Sequence, residues 1–161
     1  MTTDTNPCAD NKQLAHRFID ECWNLGQFES LREMVAGDCR IHDPVFPSLT
    51  SGVENLKRHI ITCRNGFPDL NFTIDDTIGE RDEVVLHWTA RGTHSALFLG
   101  LQPTNRSARV SGTSIFRIKD CKIVEQWADW NLLSLLEQLG IATAPGVKAE
   151  VRHRARAQSR R

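Results

Sequence analysis

The sequence predicts an α+β domain in which N-terminal helices pack on the concave face of a curved, mostly antiparallel sheet. Between residues 12 and 66, apolar residues recur at helical spacing. From residue 71 to residue 130 they alternate with polar residues, which is the period of a strand. Helices followed by a run of antiparallel strands are typical of the α+β class. A strongly curved sheet closed by helices leaves a cone with one open end, where we expect a small-molecule site.

Three helices are predicted before the sheet. The first begins near Asp10 or Asn11, either of which can cap it, and ends at Gly26. A short second helix spans about residues 29–37, and a third begins after Ser51 or Thr50 and ends at 66. Their core-facing residues are Leu14, Phe18, Cys22 and Leu25 in the first, Leu31, Met34 and Val35 in the second, and Val53, Leu56, Ile60 and Cys63 in the third.

The strands are predicted from the two-residue alternation and from the turns between them. A brief strand over 39–44 precedes a proline-containing loop, 45–51, which we place at the pocket mouth. Four longer strands follow, over residues 71–78, 83–90, 109–119 and 122–130. The last pair is joined at Asp120-Cys121, where a glycine would be expected. A final apolar helix over 132–139 ends at Gly140.

Composition and charge narrow the classes of function. The chain has 161 residues, 40% of them hydrophobic and 25% charged, which fits one domain, predicted over 1–144. The net charge is zero, so neither a nucleic acid nor a membrane partner is predicted. Residues 145–161 carry six basic side chains against one acidic one, which predicts a flexible, basic C-terminal tail. The N-terminus lacks the features of a signal peptide, so we expect a cytoplasmic protein.

Neither a metal nor a cofactor is predicted. The five cysteines include no C-x2-C pair, and we interpret them as reduced thiols, most of them buried. His42, His87 and His94 lie on separate segments and do not have metal-ligand spacing. The segment 100–104 lacks the glycine spacing of a phosphate-binding loop, and its proline removes a backbone donor.

Several motifs occur in a fixed order along the chain. Residues 92–106 read G-T-H-x3-F-x-G-x2-P-T-N-R, residues 122–127 read K-I-V-E-Q-W, and residues 132–140 read L-L-S-L-L-E-Q-L-G. Upstream lie H-D-P at 42–44 and G-F-P-D-L at 66–70. In this order and spacing the chain resembles the SnoaL-like polyketide cyclases, a branch of the cone-shaped NTF2-like fold, over about residues 12–140. The resemblance implies a small hydrophobic carbonyl ligand, a homodimer, and aldol ring closure without metal or cofactor.

Two positions depart from the pattern of those cyclases. The family commonly has an acid/base Asp directly after the tryptophan of the last strand, and this chain has Ala128 after Trp127. Asn131 replaces a second family Asp. The family's strand His aligns with Ser114. The resemblance therefore identifies the family without identifying the reaction.

The candidate catalytic residues are Asp43, Asp129 and His94. Asp43 either faces the pocket or caps the turn that follows it. Asp129 follows Ala128 and would face outward on a regular strand, unless a bulge turns it inward. His94 either acts on the substrate or holds the loop 95–104 in place. A carboxylate in a partly apolar cone suits proton removal next to a carbonyl, because desolvation raises its pKa.

The candidate substrate-binding residues are polar or aromatic. The tryptophans are interpreted either as core residues or as a wall on which a flat substrate stacks. The predicted binding set is His42, Trp88, Gln126, Trp127, Trp130 and Asn131.

Two functions remain open from the sequence. The first is a small-molecule enzyme that acts on a polycyclic or polyketide-like carbonyl compound by ring closure, isomerisation or cofactor-free hydroxylation. The second is a non-catalytic ligand-binding or structural protein that has lost the family's acid/base pair. Ketosteroid isomerase and scytalone dehydratase have the same fold but depend on tyrosine hydroxyls. This chain contains no tyrosine, so it cannot use either mechanism unchanged.

Overall fold

The computed structural model describes residues 7–143, with the backbone alone for residues 7–10. The basic tail predicted over 145–161 lies outside the described residues. The helices are α1 (Pro7–Phe18), α2 (Leu31–Met34), α3 (Val53–Gly66) and α4 (Leu132–Gln138), and α1 continues as a π-helical turn over Ile19–Asn24. No helix in the described part of the chain is long and apolar enough to cross a bilayer.

Five strands form one mixed sheet. They are β1 (Val35–His42), β2 (Asn71–Glu80), β3 (Glu83–Thr93), β4 (Ser107–Lys119) and β5 (Lys122–Trp130). Their spatial order is β1-β5-β4-β3-β2. Only β1 pairs in parallel, with β5, and the other three pairs are antiparallel. The predicted α+β architecture with a mostly antiparallel sheet is therefore confirmed.

Val35 is the clearest local correction. The sequence predicted it on the second helix, but it has extended angles (φ −125°, ψ 132°) and begins β1. Its register partner is Ile123 of β5. A β-branched residue loses little by leaving a four-residue helix, and here it gains a ladder partner and full burial. The helix therefore ends at Met34.

The core occupies the end of the cone near the β4–β5 hairpin. Phe18 of α1 packs edge-on against Phe116 of β4, with ring centroids 5.8 Å apart. Ile118 and Ile123, which flank the hairpin, are also buried. Farther from the hairpin, the inward-facing side chains of β4 and β5 line a cavity instead of a packed core. Strands β4 and β5 therefore contribute to the core at their hairpin end and to the candidate site farther along.

Candidate active site

In the part of the chain that the structure describes, an apolar cavity lies between the sheet and the helices. Its empty volume is about 890 Å³, counting the space at its open mouth. Its wall includes the π-helical turn of α1, helix α3 and strands β3, β4 and β5. Of the described residues that line it, three carry ionisable side chains, Asp43, His59 and Arg91. An apolar cavity with few polar groups is typical of small-molecule sites.

The sheet register decides which residues of β4 and β5 face this cavity. Gln126, Ala128 and Trp130 line it. Ser114 also lines it and is the direct register partner of Ala128. The two positions at which related cyclases hold acid/base residues are therefore opposite each other in the cavity wall. They offer a hydroxyl and a methyl group. The Ser114 hydroxyl accepts a hydrogen bond from Trp88 Nε1 at 3.0 Å.

Asp43 lies just after β1. It both caps the turn that follows and lines the cavity, the two alternatives that the sequence left open. Its Oδ1 accepts a hydrogen bond from the Val45 N–H at 2.8 Å, which holds the turn. It also lines the cavity, and its Oδ2 lies 3.5 Å from Trp130 Nε1. Burial raises the pKa of Asp43, although the N–H groups of Val45, Trp130 and Phe46 act to lower it. A partly desolvated carboxylate of this kind is a stronger base than an exposed one.

His59 of α3 also lines the cavity, and the sequence did not predict it as a site residue. Its ring lies 4.3 Å from that of Phe46 and 5.8 Å from that of Trp23, centroid to centroid. Burial lowers the pKa of His59 to about 4, so the imidazole is neutral at pH 7. The spacing of His59 in the sequence did indicate that it faces the interior. His59 follows Leu56 by three residues and precedes Cys63 by four, so it lies on the apolar face of the helix.

Gln126 is a buried polar side chain at the cavity wall. It is 5% exposed, and its Oε1 has no hydrogen-bond partner among the described residues. A buried amide without a partner is costly, so such groups are uncommon in folded proteins unless a ligand or water completes them. Of the predicted binding residues, Trp88, Gln126 and Trp130 line the cavity, as does the predicted catalytic residue Asp43.

His94 does not line the cavity. It is fully buried, and its Nδ1 accepts a hydrogen bond from the backbone N–H of Thr104 at 3.3 Å. Its own backbone pairs with Arg106 and Asn105 across the same loop. The ring stacks on Phe67, with centroids 5.3 Å apart. These contacts fit the second of the two roles predicted for His94, in which it holds the loop 95–104 in place.

Three other predicted residues face the opposite side of the sheet. His42 stacks on Trp127, with ring centroids 5.1 Å apart, and its Nε2 lies 2.9 Å from Oε1 of Glu125. Asp129 is exposed and pairs regularly with Thr113, so no bulge turns it inward. His42, Trp127 and Asp129 line a shallow outer depression, and Asp43 is the ionisable residue that it has in common with the main cavity.

Asn131 caps a helix. Its Oδ1 accepts a hydrogen bond from the Ser134 N–H at 2.8 Å, at the first turn of α4. This is the usual role of Asn at a helix N-terminus. Asn131 is not among the residues that line the cavity.

The described residues hold no group of three or more His, Cys, Asp or Glu side chains that could bind a metal ion. Cys63 lies beside His59, and burial raises the pKa of its thiol to about 12. Burial has the same effect on Cys22 and Cys39, whose pKa values are also raised to about 12. These thiols are protonated at neutral pH and lack the thiolate that a nucleophile needs.

A curved sheet closed by helices around an apolar cavity is the architecture of the NTF2-like fold class. Comparison with models of protein families matches residues 13–139 to the SnoaL-like polyketide cyclase family. The chain belongs to the SnoaL-like polyketide cyclase family. No curated protein matches the sequence significantly.

Three of the similar solved structures come from bacteria of the genus Streptomyces. TsrD from Streptomyces laurentii is 28% identical, with 83% of this chain and 97% of that chain covered and a TM-score of 0.75. IdmH from Streptomyces antibioticus, a candidate polyketide cyclase, is 31% identical (81% and 98% covered, TM-score 0.70). AclR from Streptomyces galilaeus, a candidate hydroxylase, is 25% identical (89% and 94% covered, TM-score 0.75).

Proposed function

We propose that this protein is an acid/base enzyme that acts on a polycyclic, polyketide-like carbonyl compound, with Asp43 as the base. One observation carries the proposal. Asp43 is the carboxylate among the described residues at the wall of an apolar cavity, and burial raises its pKa. Its Oδ2 lies 3.5 Å from the indole Nε1 of Trp130, which orients the carboxylate at the cavity wall. Carboxylates tuned in this way act as general bases near neutral pH.

The chemistry begins with a proton on the carbon next to a carbonyl group. Asp43 removes that proton, and the electron pair moves into an enolate. In ring closure the enolate carbon attacks a second carbonyl group of the same molecule, and the alkoxide then takes the proton from Asp43. Isomerisation can begin with the same proton removal. In hydroxylation the enolate carbon instead bonds to O2 to give a hydroperoxide, and a two-electron reductant such as an added thiol then converts it to the hydroxyl group and water. The likeness to IdmH and AclR supports this range of outcomes.

The cavity wall suits a flat, multi-ring substrate. Phe72 lies 4.9 Å from Trp88 and 5.0 Å from Trp23, centroid to centroid, so three aromatic rings form a continuous apolar surface. Trp130 adds a fourth aromatic ring, the third indole, beside Asp43. Aromatic side chains provide large apolar area and stacking geometry at little entropic cost. These contacts support a planar ligand with few polar groups.

Turnover of a tricyclic anthraquinone keto-ester tests the proposal. We would follow absorbance and product mass, with and without oxygen, for the wild type, Asp43→Asn and Asp129→Asn. An oxygen-independent product of unchanged mass that Asp43→Asn abolishes is expected for ring closure. A gain of one oxygen atom only in air would place the protein with the hydroxylases. Activity lost in Asp129→Asn but retained in Asp43→Asn would contradict the assignment of the base.

The same assay tests the expectation that the reaction needs no metal or cofactor. Protein treated with a chelator and passed through a desalting column should retain the full rate. A rate that falls and returns on adding back a divalent metal or a redox cofactor would contradict it.

Ser114 and Ala128 favour a second function, ligand binding without catalysis. Both positions face the cavity, and neither side chain can exchange a proton near neutral pH. In that case the anthraquinone keto-ester would bind, as measured by quenching of tryptophan fluorescence, and be recovered unchanged. Asp43→Asn would then bind it with unchanged affinity.

We also propose that the outer face of the sheet forms a homodimer interface. A row of register partners crosses four strands on that face, namely Ile78, Val85, Ile115 and Trp127. Ile78 is 61% exposed and continues a row of three other apolar side chains. A contiguous exposed apolar patch, unlike a single exposed residue, is typical of an interaction surface. Light scattering should give the mass of two chains, and Ile115→Lys should give the mass of one. A monomeric wild type would contradict the proposal.

A further inference from the structure

We propose that His59 is a second catalytic residue, which donates a hydrogen bond to the substrate oxygen that becomes negative when Asp43 removes a proton. The inference rests on the proposed function. It assigns a role to a residue of α3, whereas the positions where related cyclases hold their acid/base groups, Ser114 and Ala128, are on β4 and β5. The acid/base work is thus transferred to the end of β1 and to α3.

The His59 ring is held in one orientation at the cavity wall. Phe46 packs against it nearly edge-on, at an interplanar angle of 67°. Trp23 packs against it at 78°. Both aromatic residues also line the cavity. A side chain fixed in this way needs little reorganisation when charge develops on a bound substrate.

The ring nitrogens of His59 have no oxygen or nitrogen partner in the described part of the chain. Their one polar neighbour is Cys63 Sγ, at 4.0 Å from Nδ1 and 3.8 Å from Nε2. A sulfur almost equidistant from both nitrogens lies beside the carbon between them or over the ring, not along the axis of either N–H. The N–H of this half-buried ring therefore has no oxygen or nitrogen acceptor among the described residues, and it can donate to a ligand in the cavity.

Asp43 and His59 are connected through Phe46. The Phe46 N–H donates to the backbone oxygen of Asp43 at 3.1 Å, and the Phe46 ring contacts His59. The turn that fixes the carboxylate thus also fixes the imidazole. Asp43, Phe46 and His59 all line the same cavity, so one bound substrate can contact both the carboxylate and the imidazole. This arrangement matches the need for a base and an oxyanion donor near one reacting centre.

His59 would act as a neutral imidazole. Burial lowers its pKa to about 4, Cys63 is the ionisable side chain in contact with it, and the other ionisable residues that line the cavity are Asp43 and Arg91. A neutral imidazole can polarise a carbonyl group through its N–H without transferring the proton. The electrons of the broken C–H bond move to the carbonyl oxygen, and His59 stabilises that oxygen. Asp43 holds the proton until the alkoxide takes it, so no oxidant or further reactant is needed for ring closure.

Exchange of the α-proton of the anthraquinone keto-ester into D2O, with kcat and KM for ring closure, tests the role of His59. The variants are His59→Phe, which keeps the ring, His59→Gln, which keeps an N–H donor, and Arg58→Gln, an exposed control on the same helix. His59→Phe should lower both rates about 100-fold with little change in KM. His59→Gln should restore part of the loss.

The wild-type pH profile should show no step near pH 6.5. Equal rates in the wild type and a folded His59→Phe, or a step near pH 6.5 that His59→Gln removes, would overturn the inference.

A second readout does not depend on turnover. The ¹⁵N resonances of His59, assigned by their absence in His59→Gln, should shift when 1,8-dihydroxyanthraquinone fills the cavity, because a ligand oxygen then accepts the N–H. An unchanged resonance at saturation would overturn the inference. If the wild type neither exchanges nor converts the keto-ester, the proposed function fails, and the NMR result still decides whether His59 binds a ligand oxygen.

Discussion

Trp130 Nε1 lies 3.5 Å from Oδ2 of Asp43, a contact that joins the end of β5 to the end of β1 across the cavity wall. The two strands are parallel neighbours, so their ends reach the same edge of the sheet. The indole N–H is a donor only, and at this distance it orients the carboxylate without neutralising it. In the proposed function this carboxylate is the base, and the first and last of the predictions below depend on it.

Asp43→Asn should raise the stability of the protein at neutral pH. Burial raises the pKa of Asp43, so the charged form is the less stable one in the folded state. The native carboxyl thus contributes stability below its unfolded pKa, and that contribution is lost as pH rises through the folded pKa. Thermal unfolding should show a higher Tm for Asp43→Asn at pH 7 and a smaller difference near pH 3. A lower Tm at pH 7 would contradict the assigned shift.

Gln126→Leu should weaken ligand binding while leaving the protein as stable as the wild type, or more stable. The substitution removes a buried amide whose Oε1 has no partner, which typically costs about 1–3 kcal/mol. We expect unfolding by urea at the same or a higher midpoint. We also expect 1,8-dihydroxyanthraquinone to bind about 5-fold more weakly, which corresponds to about 1 kcal/mol. Unchanged affinity for this hydroxylated ring system would show that Gln126 does not contact the ligand.

Gly112→Ala should disturb the aromatic wall. A Cβ atom at this position of β4 would lie 2.5 Å from the ring of Trp88 and 2.8 Å from the backbone oxygen of Asp129. The backbone cannot easily move, so Trp88 must be displaced, at a cost of about 1–3 kcal/mol. Gly37→Ala is the matched control, because no atom lies within 4 Å of its added methyl. Equal stability of the two variants would show that the wall adapts more freely than we infer.

His59 should make the protein less stable in mild acid. Its pKa is about 4 when folded and about 6.5 when unfolded, so the unfolded chain binds the extra proton first. The stability is fully present above pH 6.5 and is lost as pH falls toward 4, by about 2 kcal/mol after allowance for the partly exposed ring. Urea unfolding of the wild type and His59→Gln between pH 4 and 7 isolates this contribution. Parallel pH curves for the two proteins would contradict it.

Much of the fold could be predicted from hydrophobic period and turn chemistry. Strand β5 was predicted over 122–130 and is observed over Lys122–Trp130. The turn at Asp120-Cys121 was also predicted, although both residues have positive φ values of 50° and 59°, which glycine adopts more readily. Val35 was assigned wrongly because its pairing with Ile123 is a contact between distant parts of the sequence. Local propensity does not contain that information.

The site was harder to predict than the fold. A strand alternates its faces, so a shift of one residue would exchange Ala128 for Asp129, and the register to β4 settles this only in three dimensions. The sequence did not predict His59 as a site residue, for a different reason. It continues the apolar stripe of α3, and a sequence cannot show which part of such a stripe borders a cavity and which part borders the core. Asp43 was predicted because a carboxylate before a proline at a strand end is visible without tertiary contacts.

Proton exchange at the α-carbon of the anthraquinone keto-ester, followed by NMR in D2O, tests the role of Asp43 most directly because it requires no later chemical step. The wild type should exchange this proton well above the buffer rate. Asp43→Asn should fall to the buffer rate while remaining folded and still binding the compound, and Asp38→Asn, an exposed carboxylate on β1, should behave as the wild type. Undiminished exchange by a folded Asp43→Asn would contradict the assignment of Asp43 as the base.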